Sequence, residues 1–164
     1  MKPEKTVTIT LNVNNENYTL TVKPQRLLMD CLRYDLGLTG TKEACGIGVC
    51  GVCTIMLDGK IVSSCLKFAV QADGKKITTI EGLATGEQLD PVQQAFIDHG
   101  GFQCGICTPG MVMSAKALLE KNPDPNESEI KEWMSGNLCR CTGYYGIINS
   151  IKAAASILKT ESSL

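Results

Sequence analysis

Cys45-Gly46-Ile47-Gly48-Val49-Cys50-Gly51-Val52-Cys53, followed after a short hairpin by Cys65, is the stretch that decides the fold. Its cysteines are spaced C-x4-C-x2-C, with a fourth twelve positions on. This is the plant-type spacing for a [2Fe–2S] cluster. Each iron of such a cluster is tetrahedral and takes two thiolates beside the bridging sulfides. Three thiolates in one loop and one from elsewhere meet that need. Gly46, Gly48 and Gly51 let the loop wrap tightly, because without a Cβ they tolerate positive φ and bring N–H groups toward sulfur.

Working outward, residues 6–13 alternate, with Val7, Ile9, Leu11 and Val13 on one face, as in a half-buried strand. Asn14-Asn15-Glu16-Asn17 is turn chemistry, and Tyr18, Leu20 and Val22 alternate in a second strand. A leucine-rich helix is expected over 26–36, ending at Gly37. After the cysteine loop, 52–57 and 60–64 read as strands around the turn Asp58-Gly59, which returns Cys65 to the loop. A last strand is expected at 76–80. A small mixed sheet with one helix across it is how the β-grasp of plant-type ferredoxins is built. The fold class expected is α+β, with this domain spanning 1–80 and a linker at 81–90.

From 91 to 164 the signals are helical. Asp90-Pro91 pairs an N-cap with proline at the first helical position, and the helix should end near Gly100. Thr108-Pro109 repeats the signal for a helix over 109–121. Asn126 with Glu129 forms a capping box for a third helix, ending at Gly136. A fourth is expected from Tyr145 to Leu158, with 160–164 frayed. Four short helices make an all-α bundle. Two cysteine loops sit between them: Cys104-Gly105-Ile106-Cys107 and Cys139-Arg140-Cys141. Together they supply four thiolates near expected helix N-termini, where an anionic group is favoured. Zinc is the competing reading, but C-x-C does not match the usual C-x2–4-C spacing. A second [2Fe–2S] cluster is expected instead.

Gln103-Cys104-Gly105-Ile106-Cys107-Thr108-Pro109-Gly110-Met111, with Gly136-Asn137-Leu138-Cys139-Arg140-Cys141-Thr142-Gly143-Tyr144, closely resembles the small iron–sulfur subunit of the molybdenum hydroxylases. That family includes xanthine dehydrogenase, aldehyde oxidoreductases and aerobic-type carbon monoxide dehydrogenase. The resemblance covers almost the whole chain. It implies a plant-ferredoxin-like β-grasp followed by a four-helix-bundle domain, each with one [2Fe–2S] cluster. It also implies two partners, a large molybdopterin-binding subunit and a medium FAD-binding subunit. Electrons would pass from molybdenum to the bundle cluster, then to the β-grasp cluster and FAD. Cys45, Cys50, Cys53 and Cys65 would hold one cluster, and Cys104, Cys107, Cys139 and Cys141 the other. Gln103 and Cys139 would contact the pterin from the small-subunit side. The substrate implied first is an aldehyde; a purine or other N-heterocycle, or carbon monoxide, is compatible. Ala44, Gly48-Val49, Ile106 and Tyr145-Gly146 depart from the commonest family pattern without removing a ligand.

Composition narrows the class further. The chain has 164 residues and a formal net charge of −1, so nothing points to a nucleic-acid partner. No apolar run is long enough to span a bilayer. The N-terminus leads straight into a strand pattern with no signal peptide expected, so the chain is read as cytoplasmic. In that compartment nine cysteines are ligands sooner than disulfides. Cys31, the ninth, sits among leucines as a buried structural thiol. His99 suits a solvated helix end, Trp133 a core or interface, and the Met111 and Met113 pair packing. Arg140 would face an anionic cluster or a subunit interface, and the charges of 120–132 a solvated face. No nucleophile–base pair, phosphate loop or dinucleotide fingerprint is present. The chain alone should move electrons and not transform a substrate. The alternatives are a free-standing two-cluster ferredoxin and a zinc-stabilised interaction module.

Overall fold

The computed structural model describes residues 5–161. The first strand, β1 (Val7–Val13), returns through Asn14-Asn15 as β2 (Glu16–Val22). Both turn residues are left-handed, at φ 53° and 70°. That turn matches the twist of paired strands, and asparagine tolerates it. The loop is shorter than the four residues expected, because Glu16 and Asn17 already pair with Val13 and Asn12. Ile9, Leu11 and Val13 are buried, but Val7 is 42% exposed. Strands β3 (Thr54–Leu57) and β4 (Lys60–Ser63) form the second hairpin, turning at Asp58-Gly59. Strand β5 (Lys76–Thr78) lies parallel to β1 and antiparallel to β3. The sheet order is β2-β1-β5-β3-β4.

The expected first helix is present but not uniformly α. Helix α1 (Leu28–Asp30) runs on as a π-helical turn over Cys31–Asp35, closed by Leu36 N–H donating to the Cys31 carbonyl at 2.9 Å. The Arg26 guanidinium holds Asp35 at the end of the turn, at 2.9 and 3.2 Å. Leu28, Cys31 and Leu32 pack on Ile9, Leu11 and Ile77 and close the first core. Cys31 is the buried thiol expected. Burial, then its hydrogen bond to Asp35, pushes it from an ordinary 9.0 up to about 12. Below pH 9.0 the thiol is neutral folded and unfolded, and its contribution is fully present. As pH rises toward about 12 the unfolded chain ionises first, so stability falls. Cys31→Ala is therefore expected to flatten the alkaline side of the stability profile, measured by denaturant midpoints across that range.

The second half is helical. Asp90 caps α2 (Pro91–Asp98): its carboxylate accepts from Val92 N–H at 2.9 Å, while Gln93 reaches back to Asp90 N–H. Helix α3 (Thr108–Lys121) starts one residue before Pro109. Helix α4 (Glu127–Met134) has the expected capping box of Asn126 and Glu129 and stops two residues before Gly136. Helix α5 (Tyr145–Glu161) runs three residues past the expected Leu158, so Thr160 is not frayed; 162–164 lie outside the described residues. Phe96, Met111, Ile130, Ile147 and Ile151 fill a second core between these helices. Met113 is buried too, as packing. Trp133 is half-buried, its indole N–H donating to the Ser114 carbonyl at 3.0 Å. His99 is exposed at the end of α2, and Arg140 is exposed. Val52, next to the cysteine loop, packs into this helical core and not into the sheet's. Among the described residues no helix is long and apolar enough to cross a membrane.

Candidate metal centres

The first cysteine group lies on the loop entering β3 and on the turn leaving β4. Cys53 directly precedes Thr54, which pairs with Ser63. Ser64 then donates to the Cys53 carbonyl from its N–H at 3.3 Å and its hydroxyl at 2.8 Å. The strand expected to run to Ser64 breaks here into a 3₁₀ turn, Ser64–Leu66, which lays Cys65 beside Cys53. Cys50 bears on the ionisation of Cys45, and Cys53 on that of Cys65. Cys53 and Cys65 are buried with Met29, whereas Cys45 and Cys50 are half-buried.

The loop backbone favours negative charge at this spot. Ile47 N–H points at the Cys45 sulfur at 3.5 Å. That bond first, then the Cys50 thiol, lowers Cys45 to about 6 against the opposing effect of burial, helped by the N–H groups of Cys50 and Val49. Gly48 and Gly51 make the turn possible, at φ 77° and 67°. A Cβ on Gly48 would stand 2.2 Å from the Leu66 side chain. On Gly51 it would stand 2.6 Å from the Gly136 carbonyl. Burial, then the bond to Cys53, pushes Cys65 up to about 11, so a metal entering there must displace a proton.

The second group joins the loop before α3 to the loop between α4 and α5. Cys141 donates to Cys104 at 3.5 Å, and both are exposed. Cys107, buried, and the half-buried Cys139 bear on each other's ionisation. Burial pushes Cys107 up to about 12. Cys139 sits at about 7: burial raises it, but the Thr142 hydroxyl and the N–H groups of Thr142 and Cys141 lower it further. Tyr144, left-handed at φ 69°, closes the loop. Its hydroxyl accepts from Cys139 N–H at 3.0 Å and donates to the Asn137 carbonyl at 3.2 Å. Gln103 is exposed beside Cys104.

Both groups fit a two-iron cluster. Such a cluster asks for two thiolates per iron, and tetrahedral zinc asks for four ligands around one ion. Thr142, Tyr144 and Asn137 carry no signal of their own when the sequence is read residue by residue. They lie inside the motif that carries the resemblance, but their roles show only in the folded loop. Thr142 donates to the Cys139 sulfur at 3.2 Å. A hydrogen bond to sulfur favours the more negative, reduced state of a cluster. Thr142→Val is therefore expected to shift the midpoint of one cluster, and not the other, to more negative potential in an EPR-monitored redox titration.

The two groups meet. Leu138 N–H donates to the Cys50 carbonyl at 2.9 Å, so a residue next to Cys139 bonds directly to a cysteine of the first group. Gly110, in the first turn of α3, lies against the same loop; a Cβ there would stand 2.2 Å from the Gly51 carbonyl.

Comparison with known proteins agrees with this arrangement. Residues 11–84 match the 2Fe-2S iron-sulfur cluster binding domain family, and residues 79–152 match a second [2Fe-2S] binding domain family. The chain is 50% identical to a probable xanthine dehydrogenase subunit of Bacillus subtilis, over 90% of this chain and 85% of that one. It is 49% identical to the nicotinate dehydrogenase small FeS subunit of Eubacterium barkeri, over 90% of this chain and 94% of that one. The aldehyde oxidoreductase structure from Desulfovibrio gigas superposes with a TM-score of 0.89 at 42% identity. The match covers 94% of this chain but 17% of that much longer one. With a β-grasp and a helical bundle, two [2Fe–2S]-binding domains and relatives of this kind along nearly its whole length, the chain belongs to the small iron–sulfur subunits of the molybdenum hydroxylases, and is a subunit of an oxidoreductase.

Proposed function

We propose that the chain is the electron-transfer subunit of a heterotrimeric molybdenum hydroxylase. Cys45, Cys50, Cys53 and Cys65 hold one [2Fe–2S] cluster, and Cys104, Cys107, Cys139 and Cys141 the other. The observation that carries this reading is that two four-cysteine groups lie on loops in direct contact, in a chain similar along nearly its whole length to small iron–sulfur subunits. When bound, the clusters supply two one-electron stations between a molybdopterin centre on a large partner subunit and FAD on a medium one. The same proposal includes the division into 1–80, 81–90 and 91–164, a cytoplasmic location, and an aldehyde as substrate, with a purine or other N-heterocycle or carbon monoxide compatible. Relatives named for xanthine, nicotinate and aldehydes support placing substrate choice on the partner chain.

The chain's own residues divide the work. Gln103 is exposed, and its amide can both donate and accept, as the edge of a pterin ring requires. The resemblance pairs it with Cys139, but burial favours a different neighbour. Cys139 is half-buried and bonded to Thr142, whereas Cys141 is exposed against Cys104, the residue after Gln103. The pterin-side sulfur proposed is therefore that of Cys141. Cys107 is buried, and the residue before Cys139 bonds to the Cys50 carbonyl.

Affinity purification of the tagged chain from its source tests the reading. A large chain containing molybdenum and a medium chain containing flavin are expected to elute with it. Elution as a monomer carrying its full iron complement would contradict it and leave a free-standing ferredoxin.

A further inference from the structure

Asn137 is buried, 5% exposed, where the two cysteine loops touch. Its side-chain amide donates to the Gly51 carbonyl at 2.9 Å and the Gly110 carbonyl at 3.2 Å. An amide NH2 has two protons, and these two acceptors use both. The Thr54 hydroxyl lies at 3.5 Å from the same nitrogen and itself donates to the Gly51 carbonyl at 2.7 Å. One side chain thus ties three segments together: the loop of the first group, the first turn of α3 after Cys107, and its own loop before Cys139. The next residue, Leu138, makes the backbone bond to Cys50. The carbonyl of Asn137 is held in turn by the Tyr144 hydroxyl.

The sheet core is filled by its own apolar side chains, and the helical core takes only Val52 and the flank of Cys50 from the first loop. A buried polar hub is costly unless its donors are satisfied, and both protons of this amide are taken by carbonyls of the first loop and of α3. Its position, adjoining the residues that follow Cys50 and precede Cys139, matches a demand for fixed distance between two centres.

We propose that Asn137 is a positioning residue for electron transfer between the two clusters. It acts through the contact of Cys50-Gly51 with Leu138-Cys139 and not by touching either cluster. This rests on the electron-transfer reading above. Without the amide, the Gly51 and Gly110 carbonyls lose their shared donor and the Leu138–Cys50 bond loses its clamp.

The test uses the intact complex with Asn137→Ala and Thr54→Val. Thr54→Val is the milder change, since valine suits a strand and only the hydroxyl at Gly51 is lost. Two readouts are taken: the magnetic splitting between the clusters in fully reduced samples, and the rate of electron equilibration between them after flash reduction. A role confined to folding would move neither in a variant that keeps both clusters. Asn137→Ala is expected to narrow the splitting and slow equilibration about tenfold, as small misplacements of reacting centres do. Thr54→Val should move both in the same direction by less. Unchanged splitting and rate in an Asn137→Ala protein that keeps both clusters would overturn the proposal. If Asn137→Ala does not assemble, Asn137→Ser, which also removes the amide donor, is measured in its place, and unchanged values there would overturn it. A parent protein without two [2Fe–2S] signals would instead overturn the electron-transfer reading itself.

Discussion

Cys107→Ala is expected to strip one cluster from the protein and leave the other, lowering iron from about four to about two per chain. Cys107 is the buried member of its pair with Cys139. Without it, one iron has a single protein thiolate where it needs two, and the alanine methyl in the second core offers no substitute. Cys45, Cys50, Cys53 and Cys65 are untouched, and the sheet core packs through its own residues, among them Ile9, Leu11 and Ile77. One of two EPR signals should therefore vanish with its iron and sulfide. Loss of both signals would show that the halves hold their clusters only together. Loss of neither would remove Cys107 from the ligand set.

Gly110→Ala attacks the junction from the other side. Its Cβ would stand 2.2 Å from the Gly51 carbonyl and 3.0 Å from the Val52 carbonyl. Both are backbone atoms of the first cysteine loop, so no flexible side chain can swing aside. Either α3 lifts from the loop or the loop deforms, and Cys107, three residues earlier, moves with the helix. Overpacking of this kind costs about 1–3 kcal/mol. The expected result is loss of the visible cluster absorbance at lower temperature than in the parent, with both EPR signals altered. Gly136→Ala is the control, since a Cβ there meets nothing within 4 Å. A Gly110→Ala protein as stable as Gly136→Ala would show that the loop and helix do not bear on each other as described.

Much of the fold and of the site is legible in the sequence because the informative residues act locally. Asn14-Asn15 and Asp58-Gly59 set their hairpins, Asp90-Pro91 and Asn126 with Glu129 set helix starts, and cysteine spacing sets the two thiol groups. What the sequence hides depends on side-chain partners that local periodicity does not specify. The π-helical turn at Cys31–Asp35 goes with an Arg26–Asp35 pair that helical periodicity does not encode. The break of β4 into a 3₁₀ turn is tied to the Cys53 carbonyl. Asn137 reads as an ordinary loop residue until Gly51, 86 positions away, is seen to accept from it. The exposure that separates Cys141 from Cys139 likewise comes from packing, since the two are chemically equal in a C-x-C motif.

The central claim is that two groups of four thiols each hold a binuclear cluster. The most direct measurement is iron and acid-labile sulfide on one purified sample, with EPR of the dithionite-reduced protein. About four irons and four sulfides per chain with two distinguishable S = 1/2 signals are predicted. One signal with about two irons, and zinc at the other site, would contradict the account and leave a ferredoxin domain joined to a zinc-bound bundle.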